Sequence, residues 1–237
     1  TMARLAPVLD AAKLVLVEAG PDEMAALKQR LAKDPDLMVN TTGASLPESL
    51  PAEQWDKLSA AMEDRGVPPF MAAKMKPWYL TMILSIPPCA LEHMGEDNGL
   101  DAQIIAEAQA RALPIRALEP YDTVFSIFGG LSEAEQMSMI TQALALEDRS
   151  EDMSVTMAEA YFSEDSRLIW EFTRDQTAAL PGYSADKVEA EFAAMEEAMM
   201  KARNRAWIPV LVAAAAEGPV LAGFGALHLS GDQGVLA

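Results

Sequence analysis

The chain has 237 residues, 51% of them hydrophobic, which is apolar surface enough for a large core and excludes an intrinsically disordered protein. Its 36 acidic and 18 basic residues give a formal net charge of −18, so the surface repels phosphate backbones and anionic headgroups and nucleic acid is excluded as a partner. The single cysteine, Cys89, rules out an internal disulfide framework and any multi-cysteine metal site.

The first residues, from Thr1-Met2 onward, already follow a helical pattern and no signal peptide is visible, so the chain reads as truncated at both ends. "LVLVEA" (Leu14 to Ala19) follows, an aliphatic run expected of a strand covered on both faces. Helical patterns come next in "PDEMAALKQRLAKD", "PAEQWDKLSAAMEDRG" and "PPFMAAKMKPWYLTMILS", with "TTGASLPESLPAEQ" as a loop between the first two. The longest apolar stretch, "PWYLTMILSIPPCAL", is broken by Pro87 and Pro88 and too short to span a bilayer, so no transmembrane segment is expected. His93, in the polar "LEHMGEDNG", has no second ligand at a metal spacing and reads as a surface residue.

"GLDAQIIAEAQARAL" is a helix with Asp101 as its N-cap candidate, leading into a second buried strand, "PIRALE" (Pro114 to Glu119). "SEAEQMSMITQALALEDRS" opens on a capping box of Ser132 and Glu135. Further helical patterns are "SVTMAEAYFSED" and the long "SADKVEAEFAAMEEAMMKARNRAW", the latter with Pro209 interrupting it and with Met195 and Met199 beside Phe192 as pliant core or an apolar groove. A third buried strand, "PVLAGFGALHL" (Pro219 to Leu229), comes last. About a hundred residues of helical pattern separate the second and third strands, far more than a crossover needs. The fold class expected is therefore α/β: a small, mostly parallel sheet with large, mainly helical insertions, helix-rich overall. One domain over 1–237 is expected, with an α/β core at about 1–20, 99–120 and 205–237 and insertions at about 21–98 and 121–204.

Glu18, Glu119 and His228 each fall near the end of one strand, on the edge where open parallel sheets bind ligands. Two carboxylates and an imidazole suit a divalent cation, or a general base beside one. Each residue taken singly also has a structural reading, as a helix cap or a loop hydrogen bond. The glycines of "GFGALH" let a strand end turn sharply and a ligand come close to the backbone. Arg203 and Asn204, near the end of the long helix, either complement its dipole or reach this edge. There Arg203 would pair with Glu18 or Glu119, or grip a substrate carboxylate in two prongs, and Asn204 would orient a carbonyl.

"LVLVEA", "KPW" (Lys76 to Trp78), "GLDAQIIAEAQ", "ALEP", "RNRAW" and "GALHLSGDQGVLA" occur in the order of the bacterial TraB/GumN family, which the chain resembles, a family that also takes in the Tiki-like metalloproteases. The resemblance implies an EreA/ChaN-like fold and a divalent-metal site of two Gly-x-x-His motifs and a glutamate after a strand. Glu18 matches that glutamate, and Gly225 with His228 the second motif; the first is expected on a strand upstream of Thr1. The resemblance therefore implies a metal-dependent hydrolase of peptides or other small substrates. In it Glu18 and His228 hold manganese, zinc or cobalt, Glu119 is a supporting group or general base, and Arg203 and Asn204 bind substrate. It also favours a place outside the cytoplasm, periplasmic or membrane-anchored. Two readings stay open beside it: a non-catalytic protein binding a peptide, haem-like or apolar ligand at the same edge or in a Met-rich groove, and an assembly protein in which these residues are structural.

Overall fold

A computed structural model describes residues 1–93 and 99–237, so part of the "LEHMGEDNG" loop lies outside the described residues. In chain order the first elements are α1 (Met2–Ala11), β1 (Leu14–Val17), α2 (Pro21–Lys33), α3 (Leu46–Ser49), α4 (Ala52–Glu63), α5 (Pro69–Ala72), α6 (Pro77–Leu84) and α7 (Leu100–Ala110). They are followed by β2 (Ile115–Ala117), α8 (Thr123–Gly129), α9 (Glu133–Leu146), α10 (Ser150–Phe162), α11 (Ser166–Ala178), α12 (Ala185–Glu196), α13 (Ala202–Glu217) and β3 (Val220–Gly223). The protein is thus helix-rich with a small parallel sheet, as the sequence pattern led us to expect. The chain divides into two compact units: Thr1–Gln29, Gly95–Val124 and Glu191–Ala237 form the first, Arg30–Met94 and Phe125–Ala190 the second.

The first unit is built on the sheet, in the order β2-β1-β3, with β1 parallel to both neighbours. Alternation along β1 sends its side chains to two faces. Val15 and Val17 pack with Leu9 of α1 and Ile104 and Ala108 of α7, whereas Leu14 and Leu16 pack with Trp207 and Ala214 of α13. Helices thus cover both faces, which is why β1 is aliphatic throughout and fully buried.

The other two strands depart from the expectation of burial, being half-buried or exposed. Among the described residues they are the edges of a three-stranded sheet whose centre strand is enclosed. The third strand is also shorter than predicted. It ends at Gly223, and His228 sits on a 3-10 turn, Ala226–His228, because the Gly225 N–H turns aside to donate to the Glu18 carboxylate instead of to a neighbouring strand.

Other boundaries shift for local reasons. The N-cap of α7 is Gly99, and Asp101 lies in the first turn, where an acidic side chain complements the helix dipole. "PPFMAAKMKPWYLTMILS" forms two helices, since the residue before a proline is driven out of the α region and Lys76 before Pro77 is extended. The long C-terminal helical pattern instead runs on through Pro209 to Glu217. The carbonyl freed by the proline belongs to exposed Arg205, and the buried face carrying Trp207 and Ala214 keeps the helix on the sheet. The capping box of Ser132 and Glu135 forms as expected, while α8 and α11 were not anticipated. No helix among the described residues is long and apolar enough to cross a membrane.

In the second unit Leu58 and Met62 of α4, Leu80 and Leu84 of α6 and Ile140 of α9 form the core. Arg65, whose side chain has no exposed surface, lies just beyond α4 and ties these helix ends together. Its Nε donates to the Ile86 carbonyl, Nη1 to Ala61 O and Glu147, and Nη2 to Leu84 O and Glu147, so all five N–H groups are used. Removing one partner of a buried ion pair leaves the other uncompensated. Arg65→Met is therefore expected to lower the stability of the second unit by about 3 kcal/mol in urea unfolding, well above the cost of changing an exposed pair.

Candidate functional site

The structure brings Glu18, Glu119, Arg203, Asn204 and His228 into one cluster inside the first unit. Glu18 and Glu119 follow the parallel strands β1 and β2 and so emerge at the same end of the sheet. Arg203 and Asn204 lie in the first turn of α13, buried with only 8% and 2% of their surface exposed. A five-residue π-helical turn, Glu197–Lys201, immediately precedes them. The Met199 carbonyl within it accepts a hydrogen bond from Arg203 Nη1 at 2.9 Å.

Arg203 is the hub. Its Nε donates to Glu119 Oε2 at 2.9 Å and Nη2 to Glu119 Oε1 at 2.8 Å, the two-pronged pairing that the geometry of guanidinium and carboxylate favours. Nη2 also donates to Glu18 Oε2 at 2.5 Å. The remaining Nη1 hydrogen faces His228 Nε2 at 3.2 Å. Burial disfavours the charge on Arg203, but the hydrogen bond and charge of Glu119, then those of Glu18, outweigh it and raise the pKa. The guanidinium also lies 4.8 Å from the ring centre of Trp207, whose indole N–H donates to Glu119 Oε2 at 3.1 Å.

These contacts fix the tautomer of His228. A guanidinium can only donate, so Nε2 accepts and the ring proton resides on Nδ1, which donates to Asn204 Oδ1 at 2.7 Å. Asn204 is oriented in turn by donating through Nδ2 to the carbonyls of His228 (3.3 Å) and Gln233 (2.8 Å). The imidazole is 4% exposed and packs 4.3 Å from Trp207. Burial first, then the Arg203 charge, push its pKa down to about 4, with Glu18 opposing.

Glu18 is the most accessible member, with 31% of its side chain exposed. Its Oε1 accepts the Gly225 N–H at 2.6 Å, and a Cβ on Gly225 would stand 3.2 Å from that oxygen. The glycine of the Gly-x-x-His motif therefore admits Glu18 to the backbone. Asp101 joins the acidic end: partial desolvation of its carboxyl, and then the charge of Glu18, raise its pKa. Two carboxylates against one guanidinium leave a net negative charge beside a neutral histidine.

The TraB/PrgY/gumN family profile matches residues 1–237, the whole chain. The chain belongs to that family. No curated protein and no solved structure matches it significantly. In this TraB/PrgY/gumN chain all five residues singled out from the sequence meet, while Asp101, the Met199 carbonyl, the Gly225 amide, the Trp207 indole and the Gln233 carbonyl were missed. Of these, Asp101 had a signal in its acidic side chain within "GLDAQ", read only as a cap. The backbone groups had none, because every residue carries them. His93 lies in the second unit at the end of a 3-10 turn, Pro88–His93, largely exposed and beside Glu92. Cys89 is a free, exposed thiol.

The depressed pKa of His228 makes stability depend on pH. Above the unfolded value near 6.5 the ring is neutral in both states; below it the unfolded chain takes up a proton that the folded chain refuses until about pH 4. The wild type is therefore expected to lose stability relative to His228→Gln as pH falls from about 6.5 to about 4, with no further change in the difference above pH 7. Urea unfolding at half-unit pH steps reads this difference, and a flat difference across the window refutes a neutral buried imidazole.

Proposed function

We propose that this chain is a metal-dependent hydrolase acting on peptides or other small substrates, with its chemistry centred on Glu18 and His228. The observation that carries the reading is the His228 ring, held neutral and in one tautomer by Asn204, with Nε2 turned toward the guanidinium that Glu18 and Glu119 pair with. Metal-binding histidines commonly have their other nitrogen fixed in this way. One imidazole nitrogen and one carboxylate suit manganese, zinc or cobalt in kind, and the net negative charge of the cluster favours a cation. In number they are two donors: among the described residues no three or more His, Cys, Asp or Glu side chains are gathered as a metal site. Other positions on a cation would fall to water, substrate or groups beyond this set, and a cation on Nε2 would replace the Arg203 N–H now there.

A bound divalent cation would polarise a carbonyl and lower the pKa of bound water. The residues of the chain do the rest. Glu119, its oxygens held by Arg203 and Trp207, keeps the guanidinium in place, and a substrate carbonyl or carboxylate would reach Arg203 by displacing Glu18 or His228 from one of its N–H groups. Asn204 holds the His228 tautomer. The reading takes 1–237 as one family domain with an EreA/ChaN-like core, working outside the cytoplasm. The second reading, a non-catalytic binding protein, is favoured by the closure of the network, since every Arg203 donor already has an acceptor.

Calorimetric titration of manganese and of zinc into the metal-stripped chain separates the two. One saturable site is expected in the wild type. It should be lost in folded His228→Gln and Glu18→Gln, along with cation-dependent peptide hydrolysis. Because His228 stays neutral well below pH 6, that binding should persist at pH 6. Turnover left intact in both variants, or no binding by the wild type, overturns the metal reading.

A further inference from the structure

We propose that the second unit carries a separate binding site, a cavity at the start of α6 that takes a single carboxylate attached to an apolar group. The cavity measures about 380 Å³, within the roughly 300–1,000 Å³ usual for small-ligand sites. Asn40, Lys76, Trp78, Glu133, Gln136 and Met137 are among its lining residues. It is built from the "KPW" stretch, which the cluster around Arg203 leaves without a role.

Two of the cavity's lining residues carry three kinds of donor without acceptors among the described residues. Lys76, the N-cap of α6, makes no ion pair among the described residues. The backbone N–H of Trp78 has no acceptor among the described residues, because the Lys76 carbonyl takes the N–H groups of Tyr79 and Leu80 and Pro77 breaks the pattern behind them. The indole N–H of Trp78 has none either, although the residue is only 3% exposed. The sole sealed-in side-chain polar atom without a partner among the described residues is Ser59 Oγ, so the indole nitrogen keeps some exposed surface on a residue that lines the cavity. A donor that opens onto the cavity can take an acceptor presented there.

The ring cannot turn away to find another acceptor. It is stacked on Phe128 at 5.9 Å and meets Phe125 edge-on at 5.4 Å. A positive helix end, an ammonium and a fixed indole N–H select an anion. Glu133, which also lines the cavity, selects against a multiply charged one such as phosphate. Trp78 and Met137 give the apolar surface that the rest of the ligand would cover. The chemistry fits either the C-terminal end of a peptide or a free aromatic or aliphatic acid, and it is independent of any metal at His228.

The test is nuclear magnetic resonance of the full chain with 15N-labelled tryptophan, the Trp78 indole signal being assigned by Trp78→Phe. The probes are N-acetyl-alanyl-alanine, its C-terminal amide, and 3-phenylpropanoate. The expected result is a saturable shift of the Trp78 signal with one or both acids, at least about tenfold weaker with the amide and in Lys76→Met, the signals of Trp55, Trp170 and Trp207 staying in place. A response to the dipeptide acid alone assigns the site to peptide ends, and a response to 3-phenylpropanoate alone assigns it to free acids. No shift with either acid at millimolar concentration, or equal affinity for acid and amide in the wild type, overturns the proposal; the amide comparison does not depend on any variant folding.

Discussion

A buried guanidinium has five N–H groups and a charge, and every one must be met or the fold is penalised. Arg203 meets this requirement by drawing Glu18, Glu119, the Met199 carbonyl and His228 Nε2 around itself. The rest of the first unit is arranged to make that possible. The parallel sheet delivers two carboxylates to one end, the π-helical turn contains the accepting carbonyl, and the first turn of α13 carries the arginine to them. Because Nη1 can only donate, the same residue dictates the protonation of His228, and through it the orientation of Asn204. Charge, tautomer and geometry in this cluster are one constraint.

The second unit solves a like problem in the same way. Arg65 is buried and spends its five donors on three helix-end carbonyls and the two oxygens of Glu147. Helix ends leave carbonyls unpaired, and a single arginine there satisfies several at once. The two arginines differ in their surroundings. Around Arg65 the partners are mostly backbone; around Arg203 they are ionisable side chains, one of them a third exposed. A cluster of that second kind has protons and lone pairs to exchange, and it is the one that supports a chemical role.

Much of this was legible in the residues. The aliphatic run Leu14 to Val17 fixed a strand covered on both faces, and its burial follows from its centre position in the sheet. Glu18, Glu119 and His228 stood out as polar residues closing apolar runs, and Arg203 and Asn204 as residues near a helix end that either complement its dipole or reach the same edge. Boundaries were less legible where proline acts. Pro77 splits a helix while Pro209 does not: Lys76 is extended before Pro77, whereas buried Trp207 and Ala214 keep the helix around Pro209 on the sheet.

By itself the sequence determined the class of fold, the helical excess, the family pattern and the five side chains that meet, because periodicity, capping and residue chemistry are local properties. Tertiary structure alone decided their pairing. It placed His228 on a turn beyond the third strand, brought the Gly225 amide to Glu18, and turned Arg203 toward two carboxylates at once. It also left Lys76 and Trp78 lining a cavity with donors unmet. Hydrogen bonds between residues some 200 positions apart, and to backbone groups that every residue carries, leave no mark in a one-dimensional pattern; they exist only once the chain has closed on itself.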